Sequence, residues 1–316
     1  MRRRRRRRKN KRQNKWLMTV MVAIVLLMGS WLSGGSLEWD SMKSWLSSEI
    51  GGFAQKDAVT PVDGEGKLRV IFLDVGQGAS QLIISPEGKT MLIDGGNNDK
   101  EELMLTYLAR YGVERLDILI GTHPDADHIG GLDKVVDHLE IGDIYMPRVQ
   151  ANTKTYQSLL ESIQRKGLKV KTAKAGLDLA FGEQARVRLL APAATMDDSN
   201  NMSAVVKLNY GSSTFLLTGD AESESEQAMI ESGADLRADV MLVGHHGSKS
   251  STTRRFLQLV QPTYAVIQVG PNSYGHPAQT ILDRLDKQGV QIYRNDTQGT
   301  VEISTDGREY QITTER

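Results

Sequence analysis

Four apolar runs of this chain end on residues that bind metals or carry protons, and that repetition limits the folds open to it. "TMLIDGG" delivers Asp94, and "LDILIGTHPDADHIGG" delivers His123, Asp125, Asp127 and His128. "STFLLTGD" delivers Asp220, and "DVMLVGHHGS" delivers His245 and His246. A fifth run, "YAVIQVGPNSYGHP", brings His276 in shortly after its end. Strands hand the residues that follow them to one edge of a sheet, so these arrivals ask for sheets whose C-terminal strand ends meet. Singly, each residue has a structural use, because aspartates cap helices and close turns. Together they place five of the six histidines at strand ends; His138, on a helix flank, is expected at the surface.

The densest arrival holds four ligand-type residues in six positions, His123 to His128. Gly130 and Gly131 let the backbone turn closely behind them, and a helix is expected to begin near Ile129. The chain has no cysteine, so any metal must be held by histidine, carboxylate and water.

Charge divides the chain. Residues 1–15 carry eleven of the 39 Lys and Arg, leaving 28 basic against 39 acidic residues beyond them, a net of −11. That balance argues against a broad nucleic-acid groove, since non-specific binding comes from phosphate neutralisation. Trp16 to Leu37 holds no charged residue, and about 20 such residues span a bilayer as a helix. The reading is a basic cytoplasmic head (1–15), a transmembrane signal anchor (16–37), a linker (38–66) and one domain (67–314) outside the membrane. A cleaved signal peptide is the main alternative, which would make the domain secreted; a basic nucleic-acid arm is the lesser one.

Alternating patterns mark strands at Leu68–Asp74, "SQLIIS", "TMLIDGG", Leu116–Thr122, "KVKTAK", "VRLLAP", "AVVKLNY", "STFLLTGD", "DVMLVGHH", "YAVIQVG" and "QIYRND", with a closing hairpin turning at Asp306–Gly307. Helical spacing falls near 100–111 and 153–166 and in "ESEQAMIES", "TTRRFLQLV" and "AQTILDRLDKQ". Hairpins mixed with helices predict an α+β domain of two sheets, each covered by helices on its outer face, with a loose likeness between the halves.

In order, "FLDVGQGAS", "LIDGG", "THPDADHIGG", "LLTGD", "HHGSKSS" and "GHP" resemble the metallo-β-lactamase superfamily, and more closely the C-terminal hydrolase domain of the ComEC competence proteins. The resemblance covers about residues 67–314. It implies an αββα sandwich, here preceded by one transmembrane helix, with a metal site at one edge between the sheets. The superfamily signature H-x-H-x-D-H reads His123-x-Asp125-x-Asp127-His128 in this chain. Carried over by motif, His123 and Asp125 hold one divalent ion, Asp127 and His128 a second, and Asp220 bridges them. The late ligand is His246 or His245, with His276 a ligand or a proton donor. Asp94 supports the ligand loop, and with Asp127 and His276 it makes up the implied catalytic set. Where many members supply another histidine, "DDSNNMSAVV" offers Asn200, Asn201 and Ser203; Asn201, Ser203 and Lys249 are the candidate substrate contacts. Aspartate at position 125 adds a hard oxygen ligand and favours Mn²⁺, with Zn²⁺ or Mg²⁺ as alternatives.

Two such ions suit hydrolysis of phosphodiesters, whose developing charge needs cations around it. The expected function is therefore a membrane-anchored, outward-facing, metal-dependent phosphodiesterase or nuclease with DNA as its substrate. Lys249, Arg254 and Arg255 follow the HHGS segment as candidate phosphate contacts, although the two arginines equally fit a solvated helix face. Competing readings are another hydrolase on this scaffold (esterase, lactonase, β-lactamase or small phosphoester hydrolase) and a non-catalytic DNA-uptake accessory module. No feature asks for a protein partner.

Overall fold

The computed structural model describes residues 66–316. The head and anchor read from sequence, and all of the linker but Gly66, lie outside the described residues. Among the described residues, no helix is long and apolar enough to cross a membrane.

The strands in chain order are β1 (Leu68–Phe72), β2 (Gln81–Ile84), β3 (Thr90–Ile93), β4 (Arg115–Ile120), β5 (Glu140–Met146), β6 (Val170–Thr172), β7 (Asp178–Leu179) and β8 (Ala185–Ala191). They continue as β9 (Val205–Tyr210), β10 (Ser213–Leu217), β11 (Val240–Leu242), β12 (Tyr264–Ile267), β13 (Gln291–Arg294), β14 (Val301–Thr305) and β15 (Tyr310–Thr314). The α-helices are α1 (Glu101–Arg110), α2 (Ala126–Ile129), α3 (Leu132–His138), α4 (Lys154–Arg165), α5 (Ser223–Glu231), α6 (Arg254–Val260), α7 (Gln279–Asp286) and α8 (Asn295–Gln298). One sheet runs β15-β14-β1-β2-β3-β4-β5-β6 and the other β13-β12-β11-β10-β9-β8-β7.

The two sheets share a plan. Each has antiparallel strands on one side and a parallel run on the other, β3-β4-β5-β6 in the first and β10-β11-β12-β13 in the second. This is the physical content of the likeness between the halves. Side chains alternate across each strand: Val70 and Phe72 pack between the sheets with Ile120, Val187 and Phe215. Ile71 and Leu73 pack outward with Met104, Leu108 and Leu132 of the helices. On the other sheet Leu216, Met241 and Ile267 meet Met229, Phe256 and Ile281. Both faces of the central strands of both sheets are therefore dry, giving an αββα sandwich, and this is why those strands read as unbroken apolar runs. Each fully buried Leu, Ile or Phe contributes about 1.5–3 kcal/mol.

Three elements escaped the sequence reading. In β5, Glu140, Gly142 and Asp143 mask a strand whose Ile144, Tyr145 and Met146 are buried; β7 and α8 are too short to leave a pattern. The first strand also stops at Phe72 rather than Asp74, because the Leu73 N–H turns to Ser80 O at 3.0 Å and opens a loop.

Tyr111, buried at the end of α1, sets an alkaline limit. Burial, reinforced by the Glu302 carboxylate, pushes its phenol from 10.0 up to about 12. A folded pKa above the unfolded one means its contribution is whole below pH 10 and disappears as pH rises through about 12, a loss of order 2–3 kcal/mol. Thermal melts of wild type should fall steeply between pH 10 and 12, and Tyr111→Phe should flatten that fall. Parallel pH profiles for the two proteins would contradict the assignment.

Candidate metal centre

The parallel runs bring their C-terminal ends together, and the ligand-type residues arrive there. Asp94 follows β3, the loop from Thr122 to His128 follows β4, Asp220 follows β10, and His245 and His246 follow β11. Asp125 precedes α2 without a side-chain capping bond. The capping use of that aspartate is thereby set aside.

Asp220 is the hub. Its carboxylate lies 3.1 Å from His128 Nε2, 3.5 Å from His246 Nε2, 3.7 Å from His245 Nε2 and 3.9 Å from His123 Nε2. Asp127 Oδ2 is 3.3 Å from His246 Nε2, and Asp125 Oδ2 is 3.9 Å from His123 Nε2. His123, His128 and Asp220 each offer one ligand atom within 4.8 Å of the others, and so do Asp127, His128 and His246. His128 and His246 face each other through Nε2 atoms 3.4 Å apart.

The imidazoles are aimed from behind. His128 Nδ1 lies 2.7 Å from Asp94 Oδ2, and Asp94 also accepts from the Thr122 N–H (2.8 Å) and hydroxyl (2.7 Å). Asp94 is fully buried with φ 59°, so it acts through His128 and the ligand loop and does not face the cleft. His246 Nδ1 is 2.8 Å from the Gln268 carbonyl oxygen. Such partners fix which ring nitrogen faces a metal and raise its basicity. His245 and His246 both sit in the left-handed region, with φ 47° and 54°; for non-glycine residues this costs of order 1–3 kcal/mol each and marks a functional turn.

The electrostatics ask for a cation. Burial alone would lower His128, but the carboxylates of Asp220 and Asp94 outweigh it and raise its pKa well above 6.5. Burial would raise Asp220, yet the surrounding imidazoles, His128 foremost, hold it well below the carboxylate range. Asp127, against the same burial, is brought down to about 2 by His246 and His128. His123 is lowered by burial and by His128. Its Nε2 is buried and has no hydrogen-bond partner among the described residues. It faces two carboxylates too distant for hydrogen bonds. An orphaned imidazole nitrogen facing carboxylates is the donor set that a divalent ion completes, so these residues fit a metal.

Not every candidate joins the cluster. Asn201 and Ser203, the expected substrate contacts, make hydrogen bonds within the chain. Asn201 is buried and its side-chain oxygen accepts from the N–H groups of Glu222 (3.2 Å) and Ser225 (3.0 Å), starting α5. Ser203, also buried, accepts from Asp220 N–H at 3.2 Å and sits 3.4 Å from His123 Nδ1. His276 stands apart, its ring 5.5 Å from that of His245, half-buried with Nδ1 unpartnered among the described residues. Lys249 is exposed, and His138 is set on Lys134 O at 2.9 Å, away from the cluster.

Sequence reading missed Gln268, Thr122 and Glu222. Gln268, buried just after β12, donates to Leu73 O and Ser80 O, both at 2.9 Å, and accepts from Ser80 N–H. It clasps the β1–β2 hairpin of the opposite sheet while its backbone carbonyl orients His246. The only signal was a glutamine inside "YAVIQVG". Glu222 Oε1 lies 2.7 Å from His245 Nδ1 and also accepts from Ser250.

Residues 73–270 match the metallo-beta-lactamase superfamily. The chain belongs to that superfamily. It is homologous to ComEC-family proteins: ComE operon protein 3 of Bacillus subtilis is 31% identical over 260 residues, covering 76% of this chain and 33% of that protein. Competence protein ComA of Neisseria gonorrhoeae is 28% identical over 243 residues (76% and 32%). Recombination protein 2 of Haemophilus influenzae is 30% identical over 239 residues (73% and 28%). The chain spans about one third of the length of these relatives. In fold it is similar to CmlA, a diiron β-hydroxylase from Streptomyces venezuelae, with a TM-score of 0.51 at 13% identity over 75% of this chain and 54% of that one. The chain is thus a metallo-β-lactamase-fold, metal-dependent hydrolase related to competence proteins.

Proposed function

We propose that this superfamily member is a membrane-anchored, extracytoplasmic phosphodiesterase that cleaves DNA at a two-ion centre. The observation that carries the reading is the presence of two overlapping ligand groups, His123/His128/Asp220 and Asp127/His128/His246, with the Asp220 carboxylate within 3.9 Å of the imidazole nitrogens of both. In this reading His123, Asp125 and Asp220 hold one divalent ion, and Asp127, His128, His246 and Asp220 the other. The ions would supply a water of lowered pKa and charge compensation for a phosphodiester in displacement. The chain's own part is to hold His128 through Asp94, hold His246 through Gln268, and keep His245 and His276 at the rim as proton carriers. DNA is favoured as the substrate by relatives named for competence and recombination. The uncharged run 16–37, behind eleven basic residues, supports the anchor and its orientation.

The test is full-length protein stripped of metal and assayed with Mn²⁺, Mg²⁺ and Zn²⁺ against bis(p-nitrophenyl) phosphate and DNA. Turnover of both with Mn²⁺ is expected. Turnover of carboxylic esters or lactones alone would replace this reading with another hydrolase, and none at all with an accessory role.

Asp125 should set metal preference. Its side chain is about half exposed (48%) and faces His123, so Asp125→His keeps the fold while exchanging a hard anionic oxygen for a softer neutral nitrogen. The Mn²⁺-to-Zn²⁺ activity ratio is expected to fall by about tenfold or more. An unchanged metal profile would take Asp125 out of the ligand set.

A further inference from the structure

The groove between α6 and α7 carries charge that the metal centre does not use. It is a surface cavity of about 360 Å³ whose lining includes Arg254, Gln258, Thr280, Asp283, Arg284 and Lys287. Its one carboxylate, Asp283, accepts from Gln279 Nε2 at 2.8 Å. Arg284 donates to Thr252 O through one guanidinium nitrogen, while its Nε is buried without a partner. Among the described residues, none of the three cations forms a salt bridge. Several arginines elsewhere are matched within the chain, among them Arg69 with Glu302, Arg165 with Asp137, Arg188 with Asp178, and Arg294 with Asp296. In a chain whose acids outnumber its bases beyond residue 15, Arg254 and Lys287, without a salt bridge on one groove, leave charge for an anion from outside, whereas Arg284 acts on the buried Glu226 carboxylate.

The segment that follows His246 is tied to the helix on one side of the groove. Gly247, next to His246, accepts at its carbonyl from Ala278 N–H (2.9 Å), the residue that leads into α7. The segment from His246 to α6 is pinned by Glu226, buried beneath it, whose carboxylate accepts from the N–H groups of Thr252 and Thr253. Exposed Lys249 lies on that segment. Thr280 to Lys287 spans roughly 10 Å along α7, the rise of about three stacked nucleotides at roughly 3.4 Å each.

We propose that this groove is a phosphate track for the polynucleotide strand beyond the scissile bond, with Arg254 and Lys287 contacting backbone phosphates along it. The proposal rests on the phosphodiesterase reading. Its test uses full-length Arg254→Ala/Lys287→Ala; both positions are exposed, Arg254 opens α6 and Lys287 follows the end of α7 with right-handed helical dihedrals, which alanine accepts. Bis(p-nitrophenyl) phosphate reports the metal centre alone. A short phosphorothioate oligothymidylate added as competitor reports strand binding across that centre and ignores strands held by the basic head. The variant should keep wild-type kcat/KM on the reporter while Ki for the oligonucleotide rises at least about tenfold. The slope of log Ki against log salt should fall in magnitude by about 1.4, two contacts at about 0.7 each. Unchanged Ki and slope would overturn the track. Hydrogen exchange on wild type gives a second readout independent of turnover. The oligonucleotide should slow amides in α6 and α7; no slowing, or equal slowing by inorganic phosphate, rejects the track. Failure of wild type to hydrolyse the reporter with any divalent ion sinks the phosphodiesterase reading instead, and the exchange result alone then decides the groove.

Discussion

Asp220→Asn is expected to leave the domain folded and remove its activity. Four imidazoles surround this carboxylate within 3.9 Å, and the residue is only 4% exposed. Asparagine keeps the shape and one carbonyl oxygen but loses the charge that offsets neighbouring cations. The turn itself is held by backbone, Ala221 N–H to Thr218 O at 3.2 Å, and the apolar side chains of β10 are untouched. His128 retains Asp94 as an anionic partner, so the metal-free domain still folds, with a stability lowered by the loss of the buried Asp220–His128 pair. Turnover should fall by at least about two to three orders of magnitude, the scale of losing a principal electrostatic contributor. A folded variant with more than about a tenth of wild-type turnover would remove Asp220 from the centre of the mechanism.

Gly130→Ala should do the opposite and damage the fold first. Gly130 has ordinary helical dihedrals, φ −62° and ψ −34°, so the backbone conformation itself tolerates alanine. Space does not: an added Cβ would lie 2.3 Å from Asn98 N, 2.4 Å from Ala126 O and 2.5 Å from Asn97 C. These are backbone atoms of the loop behind Asp94 and of α2, and they cannot rotate away. Overpacking usually costs about 1–3 kcal/mol; with three backbone contacts at once we expect about 3 kcal/mol or more. His128 lies two residues earlier, so metal affinity should fall as well. Gly167→Ala, at φ 66° with nothing within 4 Å, is the control and should cost only the left-handed strain of about 1–2 kcal/mol. Equal denaturation midpoints for the two variants would refute the packing argument.

The contrast between these substitutions shows what the sequence could and could not disclose. The αββα layering was legible because the central strands of each sheet are buried on both faces, leaving runs such as "LDILIG" and "FLLTG" unbroken. His123, His128, Asp220 and His246 were legible because strand ends deliver them, a property of chain order. The choice between His245 and His246 was not, because it depends on two successive left-handed residues that turn one ring toward Asp127 and the other toward Glu222. The internal bonds of Asn201 and Ser203 were not legible for a related reason. Polar residues near a ligand loop look alike in sequence whether they meet substrate or backbone N–H groups, and here they satisfy the start of α5 and the Asp220 turn. Gln268 escaped because its hydrogen bonds cross from one sheet to the other, a contact with no local pattern.

The central claim is a two-ion centre, and the most direct measurement is metal stoichiometry on the metal-stripped, full-length chain. Calorimetric titration with Mn²⁺, checked by elemental analysis after gel filtration, should give two ions per wild-type chain and one or fewer for Asp220→Asn. Binding should release protons, since the His128 pKa, lowered by burial but carried well above 6.5 by Asp220 and Asp94, leaves that ring protonated near neutral pH without metal. Two ions bound with proton release is the result this account predicts. A single ion in wild type, or two ions retained by Asp220→Asn, would contradict it.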